Sequence, residues 1–97
     1  MYGFLGYFLL GCWRAGVDKS IYSHEYRTLI ALMRQLREGA GLRQSDLADL
    51  LGRSQQFVSK YESGERRLDL VEIRAICQTL GLTLGEFVKR YEKSLAK

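Results

Sequence analysis

The stretch GLRQSDLADLLGRSQQFVSKYESGE, residues 41–65, decides the fold. Between Gln44 and Leu51, the small or apolar residues Leu47, Ala48 and Leu51 recur at helical spacing, and Val58 and Tyr61 do so in the run that follows Ser54. Gly52 closes the first run and Gly64 the second, because glycine enters the left-handed conformation that ends a helix without a Cβ penalty. Ser54 is the expected cap of the second run. Ala48 stands where two short, steeply crossing helices come closest, and Gly52 opens the turn between them. The pattern predicts a helix, a tight turn and a second helix with one buried and one polar side.

Working outward, EYRTLIALMRQLRE places Tyr26, Leu29, Ile30, Met33 and Leu36 at helical spacing, with Arg27, Arg34 and Glu38 on the other side. Ser23 is the expected cap of this first helix and Gly41 its end. Asp69 and Glu72 stand three apart, a capping-box spacing. The fourth helix they open is expected to bury Leu70, Ile73, Ile76, Cys77 and Leu80 and to stop at Gly81. Thr83 and Glu86 repeat the spacing before a fifth helix with a stripe of Leu84, Phe87, Val88, Tyr91 and Leu95. No stretch alternates as a strand does. The fold class is all-α, a five-helix bundle over residues 23–97, preceded by an apolar extension at residues 1–22.

Ninety-seven residues make one small domain with a single modest core. With 46% apolar and 27% charged residues and no proline, the chain reads as globular and helical. The net charge of +4 leans towards an anionic partner. Cys12 and Cys77, with only His24 beside them, form no metal-ligand spacing; a reduced, cytoplasmic setting fits. Cys77 reads as a small core residue and His24 as a surface residue near a helix start. No phosphate-cradling glycine loop and no oriented partner for His24 is present, so neither enzyme chemistry nor a cofactor is expected.

MYGFLGYFLLGCWRAG, residues 1–16, differs from the rest. Its apolar run falls short of the roughly 20 residues that a membrane span needs. It also lacks the positive start of a secretion signal, and no membrane partner is expected. Three readings fit: an arm that touches a membrane or partner, a segment that covers the domain, or residues the cell never makes. Because the amphipathic pattern starts only after Val17, whose codon can serve as a bacterial start, the expectation is a native start near Val17.

The helix, turn and helix of residues 44–62 resemble the helix-turn-helix of the lambda-repressor and Cro-like domains, the XRE family, and the likeness runs from about Arg27 to Phe87. Gly-Leu, Gln, Leu-Ala, Leu-Gly, Ser, Glu-x-Gly and Leu-Gly follow in the family's order. The resemblance implies a small prokaryotic transcription regulator, a repressor or activator, that binds double-stranded DNA with its third helix in the major groove. It also implies a pair between Arg37 and Glu62 that braces that helix, and a phosphate contact at Gln44.

Gln55, Gln56, Ser59 and Lys60 are the expected base-reading residues. A glutamine amide offers a donor and an acceptor side by side, matching the N6 and N7 edge of adenine. Ser59 can give or accept one bond, and Lys60 can reach a guanine or a phosphate. Phe57 is expected to pack against the turn. Arg43, Gln44, Arg53, Ser54, Ser63, Arg66 and Arg67 lie at joints that can flank the same groove as phosphate contacts, or simply point their side chains into solvent. Six basic and five acidic residues between Arg37 and Arg67 imply modest non-specific affinity. Specificity generally calls for two half-sites, and the stripe of the C-terminal helix serves either as a homodimer face or as part of the monomer core. A competing expectation is an antitoxin or adaptor that mainly binds a protein partner.

Overall fold

The computed structural model describes residues 15–96 of the chain, with side chains from His24 onward. Five helices follow in order: α1 (Ala15–Gly39), α2 (Gln44–Leu51), α3 (Gln55–Glu62), α4 (Leu70–Thr79) and α5 (Leu84–Leu95). Among the described residues there is no strand. The first fourteen residues, with the expectations attached to them, lie outside this range.

Local chemistry sets most of the boundaries. Ser54 Oγ accepts the N–H of Phe57 at 3.3 Å, and the capping boxes Asp69/Glu72 and Thr83/Glu86 both form. Gly52 holds φ +68, the left-handed conformation that a side chain penalises, and a Cβ there would meet no other atom; the need for glycine is therefore one of backbone alone. Burial satisfies the rest. Met33, Leu47, Ala48, Val58, Tyr61, Ile76, Cys77 and Phe87 form the centre of one core drawn from all five helices. Burial raises the Cys77 thiol to about 11, which keeps it a protonated packing group.

Three expectations need correction. Ser23 does not cap α1, because the helix already runs from Ala15 and, with no proline to break it, passes through Ser23. Leu70 is 65% exposed: it fits the helical stripe but occupies the first turn of α4, which no other helix covers. Val88 is also exposed, at the edge of the α5 stripe. Three residues of that stripe face inward. Phe87 is buried, Leu84 and Tyr91 pack against the core, and Tyr91 Oη donates to the Glu25 carbonyl at 2.9 Å, fixing α5 to α1. Leu84, Phe87 and Tyr91 therefore belong to the monomer core, while Val88 and Leu95 stand outside it. No helix among the described residues is long and apolar enough to cross a membrane.

Candidate nucleic-acid interface

The division of α3 into two sides positions the candidate site. Phe57, Val58 and Tyr61 are buried, with the Phe57 and Tyr61 rings edge to face at 5.3 Å between centroids. Gln55, Gln56, Ser59 and Lys60 are all exposed. Gln55 and Ser59, and likewise Gln56 and Lys60, are four apart, so each pair stacks along the outer surface. Their side chains make no hydrogen bond or ion pair with other described residues, although the helix beneath them is capped and packed. Phe57, 7% exposed, packs as expected.

The C-terminal end of α3 is fixed by a buried network. Arg37 Nε donates to Glu62 Oε2 at 2.7 Å and Arg37 Nη2 to Glu62 Oε1 at 3.0 Å. Arg37 Nη1 also reaches the Leu42 carbonyl at 2.7 Å, and Gln44 Nε2 donates to Glu62 Oε1 at 3.0 Å. Arg37 is only 7% exposed. The bond to Glu62 outweighs burial and pushes its guanidinium further up, so Arg37 stays charged inside the fold. One carboxylate thus ties α3 to α1 and α2.

The expected phosphate contacts divide into distinct groups. Gln44 donates one of its two side-chain N–H groups to Glu62, and the other, with the backbone at the start of α2, remains an anion donor. Arg43 pairs with Asp46 at 3.1 Å; its guanidinium and its backbone N–H hold the Asp46 carboxyl below the usual range. Arg66 binds Glu72 through two bonds, at 2.8 and 3.0 Å. Arg53 stands 3.9 Å above the Phe57 ring and Arg67 4.2 Å above that of Tyr26, both as cation–π contacts. Ser54 is the helix cap, and Ser63 donates to the Lys60 carbonyl at 3.0 Å within the turn after α3.

Sequence reasoning misses two residues. The helical pattern places Tyr26 only in an apolar stripe, yet its hydroxyl accepts the Leu68 N–H at 3.1 Å and its ring carries Arg67. The capping spacing gives Glu72 only a role at the start of α4, yet it also binds Arg66. Nothing in a linear pattern supplies that arginine partner across a loop.

Comparison with known proteins agrees with this geometry. Residues 29–88 match the family described as a helix-turn-helix domain. An XRE-family like protein from Pseudomonas syringae pv. tomato str. DC3000 is 37% identical and superposes with a TM-score of 0.76, over 81% of this chain and 96% of that one. The chain belongs to the XRE-type helix-turn-helix family. The family is one of DNA-binding transcription regulators, and the exposed side of α3 in this XRE-type domain lies on the second helix of the motif. Two structures of the clp gene regulator ClgR from Corynebacterium glutamicum share the fold. The first is 22% identical, with a TM-score of 0.65 over 74% of this chain and 77% of that one. The second is 21% identical, with a TM-score of 0.63 over 72% and 90%. Among curated proteins no significant match is found.

Proposed function

We propose that this XRE-type domain regulates transcription by reading a specific duplex sequence with α3 in the major groove, with no chemical step and no cofactor. One observation carries the reading. Gln55, Gln56, Ser59 and Lys60 stand exposed and unspent on a helix whose other side is buried and whose end is braced by Arg37 and Glu62. Such an arrangement presents amide donors and acceptors in a fixed geometry, which direct readout of base edges needs. A groove 12 Å wide, roughly, admits a helix of this size. Arg53, Arg67 and the start of α2 flank α3 and supply backbone contacts. The protein acts in the cytoplasm, where bacterial DNA lies. Two copies on adjoining half-sites give the specificity that one short helix lacks.

Selection of duplexes from a random library at physiological salt tests this reading, with a Gln55→Ala, Gln56→Ala variant in parallel. The expected outcome is an enriched, two-fold symmetric motif that the variant loses. Folded protein that enriches no motif contradicts it and turns attention to the antitoxin or adaptor role.

A further inference from the structure

Glu72 joins elements on both flanks of α3. Its carboxylate accepts two bonds from Arg66 and the backbone N–H of Asp69 at 3.0 Å, and it lies 3.8 Å from Arg53 Nη1. Both guanidiniums lie over the Phe57 ring, with Cζ 3.9 Å from its centroid for Arg53 and 4.9 Å for Arg66. Phe57 belongs to α3, Arg53 to the turn before it and Arg66 to the link after it. One carboxylate therefore holds cations that flank the reading helix on either side in sequence.

A guanidinium fork fits a carboxylate and a phosphate equally well, so the two anions compete for it. Arg66 has engaged Nη1 and Nη2 with Glu72, and Nη1 also with the Arg67 carbonyl at 3.1 Å. The arginine side chains are 44% and 39% exposed, that of Glu72 only 17%. A polyanion can reach the cations while the carboxylate sits behind them.

We propose that Glu72 is a specificity-determining residue, which withholds Arg66 and Arg53 from the phosphates of arbitrary DNA while a matched site can still draw them out. The proposal rests on α3 reading duplex DNA. On an arbitrary duplex the phosphates supply essentially all of the attraction, so each withheld cation leaves one phosphate unneutralised. On a matched site the base contacts hold the duplex in place, and the encounter between phosphate and arginine becomes effectively intramolecular. The phosphate then displaces the carboxylate.

Glu72→Gln in the full chain isolates the charge, since a capping box accepts Gln in place of Glu and the Asp69 N–H keeps its partner. Binding is followed on a duplex of random sequence and on a selected duplex, from about 50 to 200 mM salt. The random duplex is expected to bind E72Q more tightly, with a slope of log K against log salt steeper by about 0.9 for each arginine released. That adds a factor of about 3.5 per arginine to the fall in affinity over this salt range. The ratio of selected to random affinity falls, and adding R66Q to E72Q takes away the share of the extra slope that Arg66 supplies, about 0.9. R66Q alone, with Glu72 intact, leaves the random-duplex slope nearly unchanged, and this holds whatever E72Q does to the fold. Either of two results overturns the proposal while leaving the reading by α3 intact: an E72Q slope equal to that of the wild type, or an R66Q slope shallower than the wild type by about 0.9. A folded wild type that binds no duplex at any salt overturns both.

Discussion

Glu62 and Glu72 each grip an arginine through two bonds of nearly equal length, 2.7 and 3.0 Å to Arg37 against 2.8 and 3.0 Å to Arg66. Their surroundings differ. The Arg37 and Glu62 side chains are 8% and 3% exposed, whereas those of Arg66 and Glu72 are 39% and 17% exposed. The first pair ties the end of α3 to α1 and α2 and is closed off from solvent, with the Leu42 carbonyl, Gln44 and, at 3.9 Å, the Glu38 carboxylate as its further partners. The second faces solvent and sits beside a surface where another anion can bind. The same two residue types thus serve as a fixed brace on one side of α3 and as an exchangeable contact on the other. Burial, rather than bond geometry, makes the difference, because desolvation raises the cost of leaving a charge unpaired.

The largest expected effect is that of Glu62→Ala. It leaves the buried Arg37 charge without its two-bond partner, with only the exposed Glu38 carboxylate 3.9 Å away, at a cost of about 3–5 kcal/mol. For a domain of this size that lowers Tm by roughly 12 °C or more, with loss of DNA binding in step. Unchanged melting, followed by circular dichroism, breaks the comparison by showing that the brace carries nothing.

Salt sharpens the contrast. Glu72→Gln is expected to lower stability by about 1 kcal/mol or less, as half-exposed pairs generally do. Raising NaCl to about 1 M, where the screening length is about 3 Å, should erase that difference but leave the Glu62→Ala deficit largely in place. Equal salt sensitivity of the two deficits contradicts the assignment.

The smallest effect is the response to acid. The bonds from Arg66, then the Asp69 N–H, hold the Glu72 carboxyl below its ordinary 4.5. A lowered folded value means that the unfolded chain takes up the proton first. The contribution is therefore fully present above about pH 4.5 and is lost as pH falls through the lower folded value. Tm measured from about pH 7 down to about pH 3 should fall less steeply at the acid end in E72Q than in the wild type. Identical acid limbs contradict this.

Much of the fold is legible in the sequence because its signals are local. Gly52 and Gly64 lie where the backbone turns left-handed, and Asp69/Glu72 and Thr83/Glu86 cap the helices that their spacing announces. Ser23 misleads because a good capping residue is also tolerated inside a helix that begins earlier. Leu70 and Val88 mislead because periodicity gives the side of a helix on which a residue sits, whereas exposure depends on which neighbour covers that turn. The outer side of α3 is readable from the alternation of polar residues with Phe57, Val58 and Tyr61. The fates of the arginines are not, since Arg43, Arg53 and Arg66 look alike in sequence and differ only in what folding brings beside them.

The most direct test is the affinity of the wild type and of Gln55→Ala, Gln56→Ala for a selected duplex and a random one, at one physiological salt concentration. Each well-placed amide pair is worth about 1–3 kcal/mol of discrimination. The account predicts a ratio of selected to random affinity that drops by at least about tenfold in the variant, with random-duplex affinity and Tm unchanged. A ratio that survives the loss of both amides would contradict reading by the exposed side of α3.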